Sequence, residues 1–312
     1  MLSTSETNDS PAEEQVKPPA DETKKSKPDL YTLIVESQVP KFEIQRRLVS
    51  DVTELVQKYS TDLANYTVLF LFEPTSISSF AADQIHNALK GVSPKEKNVL
   101  LLLHSTGGSI EPAYQISKLC KYYAREKFVV TIPRKAKSAA TLISLGADEI
   151  HMGMMSEIGP IDPQLNRRPV LGLRHSLEII AEICASYKGS AEMFASYLNK
   201  NLYVPDIGYY DRLAESAIHY AVRLLMKKRI KKDLANKIAQ KLVNEYKDHG
   251  FVIDREEAKE ILPEGLVKEN SRELKFAEDV HQLIMYANLW LGTIKQAVTF
   301  IGNKEDVLIL EE

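Results

Sequence analysis

Long hydrophobic runs are the first thing this 312-residue sequence lacks. Its strongest apolar stretches, Val68–Phe72 and Val99–Leu103, fall far short of the ~20 residues that cross a bilayer as a helix. They have the length of buried strands. Cysteine is nearly absent. Cys120 and Cys184 lie in helix-like apolar stretches, and we read them as buried thiols in a reducing compartment, with the protein cytoplasmic. Neither charge sign dominates: the net charge is −3, so no overall basic field draws the chain to nucleic acid. His86, His151, His175, His219 and His281 show no metal-ligand spacing with Cys, Asp or Glu, so no metal is expected. Gly107-Gly108 is not followed by the Gly-Lys-Ser/Thr of a phosphate loop, and we expect no cofactor. Met1–Leu30 has no apolar export core and is mostly Ser, Thr, Glu, Lys and Pro. Such a segment buries too little to offset its ordering entropy, and reads as a disordered tail (1–30) before a domain over 31–312.

What remains is ordinary globular material, 44% hydrophobic and 27% charged, enough for one large α/β core. Strand and helix patterns alternate. A helix is expected over Phe42–Tyr59, a strand over Tyr66–Phe72 and a helix from Ser78 or Ser79 through Leu89. A strand over Asn98–His104, a helix over Ile110–Tyr123 and a strand over Phe128–Ile132 follow. A short helix over Ser138–Gly146 and a strand over Glu149–Met152 complete the series. The strands are apolar throughout, as when helices cover both faces of a parallel sheet. From Leu177 to about Tyr246 the pattern turns helical, with a basic amphipathic stretch over Tyr209–Tyr246. A βα-like segment, Phe251–Val267, and a helix, Leu274–Ile294, precede an acidic end. The run Lys227-Lys228-Arg229-Ile230-Lys231-Lys232 reads as a solvated helix face.

Two stretches carry the chemistry. In the first, Val99–Leu103 runs into the turn Ser105-Thr106-Gly107-Gly108-Ser109, where residues without side chains leave backbone N–H groups bare. In the second, Phe128–Ile132 leads to Ser138 at the start of a small-residue helix. A hydroxyl there sits at the positive end of a helix. Serine nucleophile and glycine oxyanion hole is the sharpest reading of this pair. The plainer reading, a helix cap and a tight turn, accounts for the spacing alone.

Four blocks settle that choice by resemblance. They are Ser105-Thr106-Gly107-Gly108-Ser109; Ala136-Lys137-Ser138-Ala139-Ala140-Thr141-Leu142-Ile143 with Gly146-Ala147-Asp148-Glu149-Ile150; Ser156-Glu157-Ile158-Gly159-Pro160-Ile161-Asp162-Pro163-Gln164; and, more weakly, His249–Ala258. In this order they resemble the Clp protease/crotonase superfamily, and most closely its serine dehydrogenase proteinase family. The resemblance covers about Tyr66 to Val267. It implies an α/β fold of stacked ββα repeats with parallel sheets, here with a helical insertion and a C-terminal helix. It implies oligomers and peptide-bond hydrolysis through an acyl-enzyme on Ser138, with Gly107, Gly108 and Ala139 around the oxyanion.

The base is less direct. The register at which Clp proteases carry their histidine lands on Pro163 here, beside Asp162. The place matching their acid, shortly before Phe251, holds His249. We therefore read a rearranged relay, with His249 as base and Asp162 orienting it. A serine–lysine dyad with Lys137 or Lys188 is the other option, and His104 reads as a polar wall residue near the turn. The expected substrate is an unfolded or extended polypeptide, and unfolding work would need a separate ATP-driven chain. The same fold also serves crotonase-like acyl-coenzyme A enzymes, which use two N–H groups and no serine, and non-catalytic interaction modules.

Overall fold

The computed structural model describes residues 28–162, 164–165, 168–187, 189–226, 230–246 and 248–311. Residues 1–27 of the expected tail, Pro163 and Lys188 lie outside them. A π-helical turn at Thr32–Glu36 leads to α1 (Lys41–Lys58), α2 (Ser60–Leu63), β1 (Tyr66–Glu73), α3 (Ser79–Leu89), β2 (Asn98–Ser105) and α4 (Ile110–Tyr123). Next come β3 (Phe128–Ile132), β4 (Lys135–Ala136), α5 (Ala139–Leu145), β5 (Glu149–Met152) and β6 (Glu157–Ile158). The insertion holds β7 (Gln164–Leu165), β8 (Arg168–Pro169), α6 (Val170–Ser186), α7 (Ser190–Asn201), α8 (Val204–Met226) and α9 (Lys232–Gln240). The chain closes with β9 (Ile253–Asp254), α10 (Arg255–Ile261), β10 (Val267–Lys268), α11 (Arg272–Leu291), β11 (Gln296–Gly302) and β12 (Val307–Glu311).

The main sheet runs β10-β5-β3-β2-β1-β11-β12. Every pair from β10 to β1 is parallel, whereas β11 and β12 join antiparallel at one edge. Because successive side chains on a strand face opposite ways, the apolar strands feed two cores. Leu69, Leu71, Leu101, Leu103, Val130 and Ile132 pack with Ile85, Ile116, Leu142 and Leu225. Phe70, Phe72, Leu100, Leu102 and Val129 pack with Leu48, Phe276, Ile284 and Phe300. Each fully buried Leu or Phe contributes about 1.5–3 kcal/mol, so both helical layers are held by the same uninterrupted apolar strands. Leu30 is buried in the second core, so the packed chain begins inside the segment read as tail.

Two expectations change. The stretch Tyr209–Tyr246 is not one helix: α8 ends at Met226, and α9 restarts at Lys232 before a π-helical turn at Lys241–Glu245. The C-terminal hairpin β11–β12 was not foreseen. Its turn is made by Gly302, at φ 129°, and by Asp306, whose Oδ2 accepts from Asn303 N–H at 2.7 Å.

A short extension positions the site. β4 pairs in parallel with the end of β2, Ser105 opposite Ala136, and with β6, Ala136 opposite Ile158. β6 in turn pairs antiparallel with β9, Ile158 opposite Ile253. The residues just beyond β2, β4 and β6, and those just ahead of β9, therefore emerge at one edge.

Candidate active site

Ser138 stands between β4 and α5 in a backbone conformation that costs energy. Its φ is 52° and its ψ −118°, outside the left-handed helical well that Lys295, at 55° and 47°, occupies. A residue other than glycine pays about 1–3 kcal/mol for such a position, and keeps it only where the surroundings over-determine it. Here they do. Lys137 N–H donates to Ser105 O at 3.0 Å, Ala140 N–H to Lys137 O at 2.8 Å, and Leu142 N–H to Ser138 O at 3.1 Å. Ser138 is 9% exposed. Its side chain does not cap the helix, and its hydroxyl makes no hydrogen bond among the described residues.

The Gly-Gly turn lies directly against it. A Cβ on Gly107, whose φ is 114°, would meet Ser138 Cβ at 2.7 Å and Lys137 O at 2.9 Å, with Ala139 N at 3.3 Å. Gly108 pairs with Ile77: Ile77 N–H donates to Gly107 O, and Ser109 N–H to Ile77 O, each at 2.8 Å. Alternate groups of extended backbone point to opposite edges, so Gly108 N–H faces away from Ile77. Gly107 N–H is already given to Ser105 Oγ at 3.1 Å. Among the described residues, Gly108 N–H and Ala139 N–H have no acceptor. The three amides grouped around the serine by sequence thus divide into one spent and two free.

His249 and Asp162 meet. His249 Nδ1 lies 2.5 Å from Asp162 Oδ1, with the Asp162 side chain 5% exposed and that of His249 26%. Asp162 follows β6 by four residues and His249 precedes β9 by four, so the antiparallel β6–β9 pair carries both toward the same edge. A carboxylate only accepts, so in a neutral His249 this pairing places the proton on Nδ1 and the lone pair on Nε2. Among the described residues no hydrogen bond joins His249 to Ser138.

Sequence reasoning missed the struts between these parts. Thr141 Oγ1, on α5, lies 2.7 Å from Ala136 O and 2.8 Å from Gly159 O, and accepts from Gly159 N–H at 3.0 Å. It thereby fixes the serine's helix to the strand leading to Asp162. Lys137 turns away from the serine, as its neighbouring position suggests. Its Nζ lies 3.2 Å from Glu157 Oε2 and donates to Phe251 O at 2.9 Å, which anchors the loop that carries His249. No spacing signal distinguishes such struts from ordinary surface lysine and threonine.

Other candidates fall elsewhere. His104 faces α11, its ring 4.7 Å from that of His281. Burial and the neighbouring imidazole lower its pKa to about 3. A cavity of about 690 Å³ lined by His219, Tyr220, Arg223 and Lys232 belongs to α8 and α9, away from Ser138. The buried Cys120 thiol is pushed up to about 12 by desolvation. Among the described residues no three His, Cys, Asp or Glu converge on a metal site, and no helix is long and apolar enough to cross a membrane.

The profile of a family described as ClpP-like SDH-type serine proteinase matches residues 77–286, about two thirds of the chain. Uncharacterized protein MJ0137 of Methanocaldococcus jannaschii is 29% identical over 180 residues, 58% of this chain and 57% of its own. Uncharacterized protein MJ1495 of the same organism is 27% identical over 180 residues, 58% of this chain and 56% of its own. The match thus spans little more than half the length of these curated relatives. Among solved structures, a mutant of the 1510-N membrane-bound stomatin-specific protease is 14% identical, covering 72% of this chain and 86% of its own, at a TM-score of 0.42. ClpP1 from Listeria monocytogenes is 15% identical, covering 66% and 94%, at 0.37.

Proposed function

Because the chain belongs to the ClpP-like SDH-type serine proteinases, we propose that it hydrolyses peptide bonds through an acyl-enzyme on Ser138. The observation that carries this reading is the strained Ser138 at the start of α5, its hydroxyl unengaged, packed against Gly107 with the amides of Gly108 and Ala139 unspent. A serine hydroxyl attacks a carbonyl only when a base takes its proton and donors await the oxyanion. In this reading His249 Nε2 takes the Ser138 proton as Oγ bonds to the carbonyl carbon. Asp162 holds the imidazole through Nδ1 and steadies its positive charge. The N–H groups of Gly108 and Ala139 receive the oxyanion. Collapse breaks the C–N bond, the imidazolium gives its proton to the leaving amine, and water then releases the acyl group by the same steps.

The expected substrate is an extended polypeptide lying along the free edge of the 107–108 segment, where main-chain bonds hold it without regard to sequence. The opposite edge is closed to it by Ile77. Assembly into a homo-oligomer fits α6 and α7, which expose Ile179, Met193 and Tyr197, with no buried residue in α7. A separate ATP-driven unfoldase would supply such substrates, and the cytoplasm is the compartment we propose.

The test is covalent labelling by a fluorophosphonate alongside hydrolysis of an unstructured peptide. Labelling and turnover that both vanish in Ser138→Ala support the assignment. Labelling untouched by Ser138→Ala, or no labelling together with coenzyme A binding, overturns it; the latter identifies a crotonase-like enzyme. A 35.2 kDa monomer in light scattering at micromolar concentration would contradict the oligomer.

A further inference from the structure

On the α11 side of the sheet, beyond the ends of β1 and β2, lies a cavity of about 200 Å³. Its walls include Phe72, Glu73, His104, Lys135, Ile284 and Asn288. It does not contain Ser138, although Ser105 and Thr106 of the Gly-Gly turn form part of its lining.

Its polar groups are unusually incomplete. Glu73 is 5% exposed; its Oε1 accepts from Thr75 N–H at 2.8 Å and from Thr75 Oγ1 at 2.6 Å. Its Oε2 has no partner among the described residues. The Lys135 ammonium makes no ion pair among the described residues, Glu73 included. His104 Nδ1 is buried without a partner. Asn288 Oδ1 accepts from Val298 N–H at 2.7 Å, which leaves its amide N–H₂ as a donor. A buried polar group without a partner costs about 1–3 kcal/mol, and His104 Nδ1 is such a group; Lys135 is half-buried and its charge is not matched by an ion pair among the described residues. Phe72, Ile284 and Val298 supply the apolar wall.

We infer that this cavity binds a small zwitterion, an α-amino acid with an apolar side chain. Lys135 receives its carboxylate, Glu73 Oε2 its ammonium, and Phe72, Ile284 and Val298 its side chain. The Asn288 amide completes the carboxylate's hydrogen bonds. The volume is below the ~300–1,000 Å³ of pockets for drug-sized ligands, so the occupant is one residue and not a peptide. A simple anion would leave Glu73 unpaired and repelling; a simple cation would do the same to Lys135. The inference stands apart from the peptidase reading, since no atom of the cavity belongs to the proposed relay.

The test uses the full chain carrying Ser138→Ala, so that turnover plays no part. L-leucine, N-acetyl-L-leucine and L-leucine methyl ester are titrated by calorimetry, with melting temperature as a second readout. Saturable binding of L-leucine is expected, with each blocked derivative at least ~10-fold weaker, as befits loss of one charged hydrogen bond. Adding Lys135→Met should abolish the preference over the methyl ester. Glu73→Gln keeps the Oε1 acceptor and should abolish the preference over the N-acetyl form. No saturable leucine binding, equal binding of either blocked derivative, or discrimination unchanged in both variants overturns the inference. The three-ligand comparison decides the matter even if a variant fails to fold, and it is blind to whether Ser138 is a nucleophile.

Discussion

Asp162 and His249, 87 positions apart in the chain, share a 2.5 Å contact from Oδ1 to Nδ1 at the open end of the β6–β9 ladder. The contact holds the imidazole ring and, in the neutral form, favours the tautomer whose Nε2 is an acceptor. A loop histidine satisfied by backbone would need neither. The pair therefore gives the proposed relay a geometric half that composition and spacing alone could not supply.

The first expectation follows from that half. His249→Ala should lower kcat for peptide hydrolysis by about 10²–10⁴-fold, the usual range for a general base. Asp162→Asn should cost a comparable factor, because the amide no longer favours the tautomer with Nε2 free. Asp162 is buried and His249 is partly exposed, so losing the contact should cost about 1–3 kcal/mol of stability without unfolding the protein. Steady-state kinetics with circular dichroism checks both. Full activity in His249→Ala would remove it from the relay.

Gly107 should tolerate no side chain. In Gly107→Ala the new Cβ would press on Ser138 Cβ and on the Lys137 carbonyl, at a φ of 114°. Backbone strain alone costs about 1–3 kcal/mol. The expected result is a lower urea midpoint and loss of fluorophosphonate labelling, with Ser138 itself intact. Gly265, also at positive φ, has nothing within 4 Å of a built Cβ. Gly265→Ala should therefore lose some stability but keep its labelling.

Lys137 separates two chemistries. As the strut between Glu157 and the Phe251 carbonyl, it should be a positioning residue. Lys137→Met should then cost about 1.5–3 kcal/mol of stability and reduce kcat with little change in KM, leaving residual labelling of Ser138. Were it the base of a serine–lysine dyad, labelling would fall to the level of Ser138→Ala. A fluorescent fluorophosphonate time course distinguishes the outcomes.

Much of this arrangement is legible in the residues themselves. Uninterrupted apolar runs such as Val99–Leu103 announce strands covered on both faces, and Gly107-Gly108 with Ser138 mark the ends of two of them. What spacing cannot convey is pairing. Two-residue strands such as β4, β6 and β9 have no periodicity to read, yet they help to place Ser138, Asp162 and His249 at one edge. The hairpin β11–β12 was hidden differently: the helix read over Leu274–Ile294 ends just before β11, and the sequence pattern assigns no element to the segment between it and the acidic end. The basic stretch in the insertion has helical periodicity on both sides of its break, so period alone could not show that α8 stops.

Acid sensitivity should come from the imidazoles beneath the sheet. His104 titrates at about 3, held down by burial first, then by His281, Lys135 and Arg134; His281 is lowered by burial and the same two cations. Glu73 also lines the cavity beside His104. In the unfolded chain such a histidine takes its proton near pH 6.5. Below that value the unfolded state binds protons that the folded state refuses, so stability falls as the pH drops from about 6.5 towards 3. Each such histidine contributes a slope of up to about 1.4 kcal/mol per pH unit, and above pH 7 the effect is absent. Between pH 6.5 and about 5 the carboxylates are still ionised, so that interval isolates the histidines. His104→Phe keeps an aromatic ring against Phe72 and cannot titrate. Urea midpoints measured across the interval should flatten in that variant by about one proton's worth of slope. Parallel pH profiles for the two proteins would show that His104 accepts its proton in the folded state as readily as in water.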